Sequence, residues 1–79
     1  MMIEKGTVVK ATAGKECERL FVVIEADEKF AYIADGRKRK LSNPKKKNLK
    51  HLRFTNDIIE MNDITDKKLR NVLGNPGTP

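Results

Sequence analysis

The feature that most constrains the fold is a continuous apolar run, Leu20–Ile24, which contains one Phe and three β-branched residues. The run is too short for a stable helix, and β-branched side chains pack well in strands. A strand that is apolar at successive positions has both of its faces covered. We therefore predict a central strand over this run.

Two neighbouring segments also have the composition of strands. The first, Thr7–Thr12, is entered from Gly6 and left at Ala13-Gly14, where glycine permits a turn with positive φ. The second, Phe30–Ala34, follows a polar reversal over residues 26–29. Short connections favour pairing between strands that are adjacent in sequence. We expect these segments and the central strand to form an antiparallel meander.

A hairpin turn is predicted at Asp35-Gly36, because a two-residue reversal with both central residues at positive φ favours Asp-Gly. The return strand would be Arg37–Leu41, with its basic side chains alternating between the two faces of an edge strand. Pro44 interrupts that strand because it has no N–H to donate. We therefore place Lys45–Lys47 on a loop.

The fifth strand is predicted from a short alternation in which Leu52 and Phe54 share one face and His51 and Arg53 share the other. Five short strands with tight turns, in a chain too small for a sandwich, indicate a mostly β protein with a small antiparallel barrel. We expect the barrel to occupy residues 1–56.

A C-terminal extension is predicted over residues 57–74, with a short helix from about Asp66 to Leu73. Thr65 is its N-cap, Ile64 and Leu69 form a hydrophobic staple, and Gly74 ends it. Helices shorter than about 12 residues rarely hold alone in water, so the apolar face must dock on this chain or on a partner. That face contains Leu69, Val72 and Leu73. Ile58, Ile59 and Met61 are expected to cross one end of the barrel, and residues 75–79 to be disordered.

A block of positive charge without a single acid covers residues 36–56. It contains nine Lys and Arg residues and one His: Arg37, Lys38, Arg39, Lys40, Lys45, Lys46, Lys47, Lys50, Arg53 and His51. The rest of the chain has more acids than bases, so the net charge of +6 arises in this block. Like charges repel one another unless a polyanion neutralises them, and nucleic acid is the commonest polyanion. We predict that these residues bind a nucleic-acid backbone.

Two other interpretations of the block are weaker. A membrane surface would favour a helical apolar stripe, which the block lacks. A merely solvated surface would have acids interleaved with the bases, and here none is present. The chain has neither an apolar run of membrane-spanning length nor a signal-peptide pattern, so we expect a cytoplasmic protein that does not bind membranes.

The remaining residues indicate little chemistry. Cys17 is the single cysteine, and acids on both sides of it oppose activation of its thiol. His51 has no second His or Cys nearby for a metal site. We find no nucleophile paired with a base, so we expect no enzymatic activity. We also expect no metal and no cofactor, and a protein that is a monomer when free. The four aromatic residues, which are Phe21, Phe30, Tyr32 and Phe54, are interpreted as core. Tyr32 is the best candidate for an exposed ring.

Gly6–Lys10, the loop Ala13-Gly14-Lys15 and the strand Leu20–Ile24 together resemble a KOW motif, a strand, glycine loop and strand unit of several ribosomal proteins and transcription elongation factors. The continuation through residues 34–37, 44–47 and 50–52 is similar to small bacterial KOW-domain proteins related to the KOW-containing large-subunit ribosomal proteins of archaea and eukaryotes. The resemblance covers about residues 3–54.

This resemblance implies an SH3-like barrel that binds RNA, with Gly14 at the glycine position of the motif and Lys15 beside it in the RNA-facing loop. The motif commonly has a second glycine before the second strand, where this chain has Cys17-Glu18-Arg19. We therefore expect a ribosomal or ribosome-associated protein that recognises folded ribosomal RNA through phosphate contacts. The alternative is a transcription-linked KOW module that contacts RNA polymerase or another protein through the acidic segment 57–66.

Overall fold

The computed structural model describes residues 3–12, 14 and 17–75. Strands, one 3₁₀ helix and one α-helix follow one another in this part of the chain. In order they are β1 (Thr7–Ala11), β2 (Leu20–Ala26), β3 (Phe30–Ala34), β4 (Lys45–Asn48), a 3₁₀ helix (Leu49–His51), β5 (Leu52–Ile58) and α1 (Asp66–Leu73).

The strands form one antiparallel sheet in the order β4-β3-β2-β1-β5. β2 is the central strand, and Phe21, Val22 and Val23 are all 0% exposed, so both of its faces are covered as predicted. β4 and β5 form the two edges, and the 3₁₀ helix joins them. The mostly β architecture with five antiparallel strands is confirmed, and closure of the sheet into a barrel stays a prediction.

The sheet has an apolar cluster on each face. The cluster on the inner face consists of Val9, Ala11, Phe21, Val23, Ala31, Ile33 and Leu52. The cluster on the outer face combines sheet residues with α1, and consists of Val8, Val22, Ala34, Leu69 and Leu73. The helix therefore docks on its own sheet rather than on a partner, and it supplies apolar surface that a chain of this length otherwise lacks.

The bounds of α1 agree with the cap residues. The Thr65 hydroxyl accepts the N–H of Lys68 at 3.2 Å, and Gly74 ends the helix at a φ of 61°. Leu69 is fully buried, and Ile64 packs against the same cluster, as the staple requires. Val72 was predicted to dock, but it is 59% exposed, because the buried face of α1 follows Leu69 and Leu73.

The predicted return strand Arg37–Leu41 is wrong, since the fourth strand is Lys45–Asn48. Asp35 does not adopt the left-handed backbone of a two-residue hairpin, and only Gly36 has positive φ there, at 82°. A Cβ at Gly36 would collide with the backbone oxygen of Asp66, so the loop passes directly against α1. This tertiary contact replaces the tight hairpin.

Two further corrections concern the C-terminal region. Asn75, expected to be disordered, uses its side-chain amide to accept the N–H and donate to the carbonyl of Leu20, each at 2.7 Å. Ile58 belongs to β5 rather than to an irregular segment, so the strand continues past the predicted boundary at residue 56. Residues 76–79, also predicted to be disordered, lie outside the described residues.

Candidate nucleic-acid interface

The predicted basic residues lie at four consecutive places along the chain. The basic loop, residues 36–41, carries Arg37, Lys38, Arg39 and Lys40. β4 carries Lys45, Lys46 and Lys47, the 3₁₀ helix carries Lys50 and His51, and β5 begins with Leu52 and Arg53. The basic loop connects β3 to the edge strand β4, and the 3₁₀ helix follows β4. Arg53 lies on the strand that forms the opposite edge.

The Asp35 carboxylate fixes the start of the basic loop from within. Asp35 is only 3% exposed, and its Oδ1 accepts the N–H of Arg37 at 2.8 Å and of Arg39 at 3.2 Å. Its Oδ2 lies 3.7 Å from Nη2 of Arg19. Asp residues favour such loops because a short carboxylate reaches backbone donors two and more residues ahead. One buried acid thus organises a loop that contains none.

α1 fixes the same loop from outside. Arg70 donates from Nη1 to the Gly36 carbonyl at 2.7 Å, and Oδ1 of Asp66 accepts the N–H of Leu41 at 2.8 Å. The half-buried Leu41 packs against the outer-face cluster. With its backbone held at both ends, the loop presents the exposed side chains of Arg37, Lys38 and Lys40 to solvent.

Lys45–Lys47 were predicted to lie on a loop, and this is wrong, because they form most of β4. Ile33 is opposite Lys45, and Phe30 is opposite Asn48. Pro44 immediately precedes the strand, a position where its missing N–H costs no ladder bond. Lys46 is exposed on the outer face, whereas Lys45 and Lys47 alternate to the inner side of this edge and are half-buried.

The 3₁₀ helix brings two more basic residues to the far end of β4. The Asn48 side chain caps it by accepting the N–H of Lys50 at 2.9 Å. The His51 carbonyl accepts the N–H of Thr12 at 2.9 Å, which ties this helix to the start of the glycine loop. Arg53 follows on β5 opposite Lys10. Lys50, His51 and Arg53 are all exposed.

In the glycine loop, Gly14 is exposed and has a φ of 80°, the positive φ that the predicted turn at Ala13-Gly14 allows for. Glu18 also has positive φ, at 72°, in the segment where the motif has a second glycine. A side chain there costs about 1–2 kcal/mol. The Glu18 carboxylate lies 3.5 Å from Nζ of Lys10. Lys15, predicted to face RNA, lies outside the described residues.

No family model matches this chain, and no curated protein matches it either. The KOW resemblance and the RNA-binding function therefore stay predictions.

The described residues add three findings on metal binding, the cysteine and membrane spans. In the described ranges, no group of three or more His, Cys, Asp or Glu side chains is placed to hold a metal ion, and Cys17 is an exposed free thiol. None of the helices in this part of the chain has the length and apolar composition needed to span a lipid bilayer.

The interpretation of the aromatic residues as core holds fully only for Phe21, which is 0% exposed. Phe54 is 40% exposed, and Phe30 and Tyr32 are half-buried. Phe30 and Tyr32 alternate with the buried Ala31 and Ile33, so both rings belong to the outer face of β3. This period-two pattern was present in the sequence and would have identified the two rings as surface residues.

The turn between β2 and β3 places Asp27 beside Phe30. Asp27 accepts the N–H groups of Lys29 and Phe30, each at 2.8 Å. These backbone hydrogen bonds, helped by the charges of Lys46 and Lys29, lower the pKa of Asp27 below its ordinary value. The carboxylate is therefore ionised at neutral pH, and it accepts hydrogen bonds from backbone N–H groups of its own turn.

Proposed function

We propose that this chain is a non-enzymatic RNA-binding protein, ribosomal or ribosome-associated, that binds folded ribosomal RNA through its phosphates. The observation that carries the proposal is the fixed basic loop, held by Asp35 from within and by Asp66 and Arg70 from α1. The KOW resemblance of the sequence supports RNA as the polyanion.

The fixed backbone supports phosphate binding for an energetic reason. A loop that is ordered before binding loses little backbone entropy in the complex, so more of the phosphate attraction appears as affinity. Each Lys or Arg that neutralises a phosphate releases condensed counterions and contributes about −0.7 to the log-log salt slope on single strands. Arg37 and Arg53 add guanidinium groups that can bind two phosphate oxygens at once.

The salt dependence of RNA binding tests the contribution of the basic loop. Replacing Lys38 and Lys40 together with Ala should weaken binding across RNA sequences and flatten the salt slope by about 1.4 units. The matched control is Lys67→Ala with Lys68→Ala, which removes the same charge from exposed positions of α1. Equal effects of the two double variants would show that only net charge matters, and would contradict a site in the loop.

Sedimentation through a density gradient tests the ribosomal part of the proposal. We expect the protein to cofractionate with large ribosomal subunits and to dissociate as salt rises. Copurification with RNA polymerase alone, and none with ribosomes, would contradict it.

A second candidate function, a module that contacts a protein partner, is favoured by one observation. A groove of about 710 Å³ lies between α1 and the end of β5. Its walls include Ile58 and Val72, which are 57% and 59% exposed, and the acids Asp57 and Glu60. Partly exposed apolar residues bordered by acids suit a basic, apolar protein segment. Loss of polymerase or ribosomal-protein binding in Val72→Glu, with RNA affinity unchanged, would support this candidate.

A further inference from the structure

The outer face of β3 carries two aromatic rings that do not belong to the outer-face cluster. That cluster takes Ala34 from β3, at the end of the strand farthest from Phe30. Tyr32 and Phe30 follow at two-residue intervals along the same face, and both are half-buried. Two rings two positions apart on a strand lie about 7 Å apart, which places them side by side along one surface.

The neighbouring strands place charges on both sides of these rings. Tyr32 is opposite Lys46 on β4 and opposite Glu25 on β2. Nζ of Lys46 lies over the face of the Phe30 ring, 4.4 Å from its centroid, so a base stacks on that face only when the Lys46 side chain moves aside. Asp27, in the turn beside Phe30, is engaged by backbone N–H groups. The surface therefore has a cationic side at the edge strand β4 and an anionic side at β2.

An open groove of about 480 Å³ borders Phe30. Its lining residues are Asp27, Glu28, Lys29, Phe30 and Lys46. Its volume falls within the range of small-ligand sites, about 300–1,000 Å³. The carboxylates of Glu25 and Glu28 repel phosphate, whereas Lys46 attracts it. These charges would orient a nucleotide on this face with its phosphate towards β4 and its base over β3.

We propose that Phe30 and Tyr32 form a stacking platform for unpaired RNA bases, and that Lys46 binds a phosphate of the same strand. This inference rests on the proposed RNA-binding function and names the part of the RNA that this face recognises. Base stacking on an aromatic ring contributes about 1–3 kcal/mol per base and tolerates any sequence. The bases of a regular duplex are stacked on one another and do not reach a flat protein face, so the platform selects loops, bulges and single strands.

Tyrosine fluorescence tests the platform directly, because the chain has one Tyr and no Trp. All the intrinsic emission near the tyrosine maximum therefore comes from Tyr32. We expect an unstructured single-stranded RNA to quench this emission as it binds, and a blunt RNA duplex of equal charge to bind without comparable quenching. This measurement uses the unmodified protein, so it does not depend on the folding of a variant.

Two substitutions separate the ring from the fold. Tyr32→Phe keeps the ring and should keep the single-strand affinity, whereas Tyr32→Leu should weaken it at least about fivefold and leave duplex affinity unchanged. Single-strand binding without quenching, together with unchanged affinity in Tyr32→Leu, would overturn the platform and leave the proposed function intact. Failure to bind either RNA would overturn both, and equal quenching by the duplex would overturn selection of unpaired bases.

Discussion

Replacement of Asp35 tests whether its buried carboxylate organises the basic loop. Asp35→Ala removes the acceptor for the N–H groups of Arg37 and Arg39 and the partner of Arg19. A hydrogen bond to a charged group contributes about 1.5–3 kcal/mol, and a buried donor left without an acceptor costs about 1–3 kcal/mol. The loop can open towards water, which recovers part of the lost free energy. We therefore expect the free energy of unfolding to fall by about 3 kcal/mol.

Asp35→Asn is the matched control, because both backbone hydrogen bonds use the same oxygen, Oδ1. Asn keeps that acceptor and loses the charge and the 3.7 Å contact with Arg19, so the loss of stability should be about 1 kcal/mol. Urea denaturation at neutral pH, followed by far-ultraviolet circular dichroism, measures both variants. Equal stability of the Ala and Asn variants would refute the role assigned to the backbone hydrogen bonds.

The RNA affinity of the same two variants separates organisation from charge. Each variant removes one negative charge beside the basic loop, so a purely coulombic effect would strengthen RNA binding in both. If the carboxylate organises the loop, Asp35→Ala should bind RNA more weakly than Asp35→Asn. Filter binding at constant salt measures the difference. Tighter binding by Asp35→Ala would show that loop geometry is not needed.

The remaining predictions concern the helix and the β2–β3 turn. Leu69→Ala should lower the free energy of unfolding by about 2–5 kcal/mol, because Leu69 is 0% exposed, whereas Val72→Ala, at a site 59% exposed, should change it by less than about 0.5 kcal/mol. Equal urea midpoints for these two variants would contradict docking of α1. Asp27 has a lowered pKa when folded, so its contribution to stability is present above the unfolded pKa and is lost as pH falls through the folded value. A carboxyl NMR titration of the folded protein should give a midpoint for Asp27 below the ordinary value of an Asp side chain, and an ordinary midpoint would remove the role of the Lys29 and Phe30 N–H groups.

The parts of the fold that the sequence predicted well are those with a local physical cause. The apolar run Leu20–Ile24 requires cover on both faces, which only a central strand supplies. The bounds of α1 follow from a hydroxyl at Thr65 and a residue without a side chain at Gly74. Neither signal depends on distant parts of the chain.

The basic segment was harder to predict because its structure depends on tertiary contacts. Asp35-Gly36 is compatible with a tight hairpin and with a longer loop, and contacts from Asp66 and Arg70 favour the loop. Lys45–Asn48 has little intrinsic preference for a strand, and it becomes one by pairing with β3. Nine of the proposed basic residues lie within residues 37–51, where the predicted return strand and the predicted lysine loop were both wrong. The positions of these residues relative to one another in space could therefore not be predicted.

The aromatic platform shows the same division between local and tertiary information. Alternation of Phe30 and Tyr32 with Ala31 and Ile33 is readable in the sequence and places the rings on one face. Which end of that face α1 covers depends on where the helix docks. The sequence contains no local signal that brings Leu69 and Ala34 into one cluster.

Ultraviolet crosslinking of the protein to ribosomal RNA, with the crosslinked peptides identified by mass spectrometry, tests the central claim most directly. RNA binding by the basic loop, β4 and the 3₁₀ helix predicts crosslinks within residues 36–53, together with Tyr32 or Phe30 where unpaired bases stack. Crosslinks confined to the groove at Ile58 and Val72 would contradict it. Crosslinks that excess unlabelled RNA does not suppress would contradict it as well.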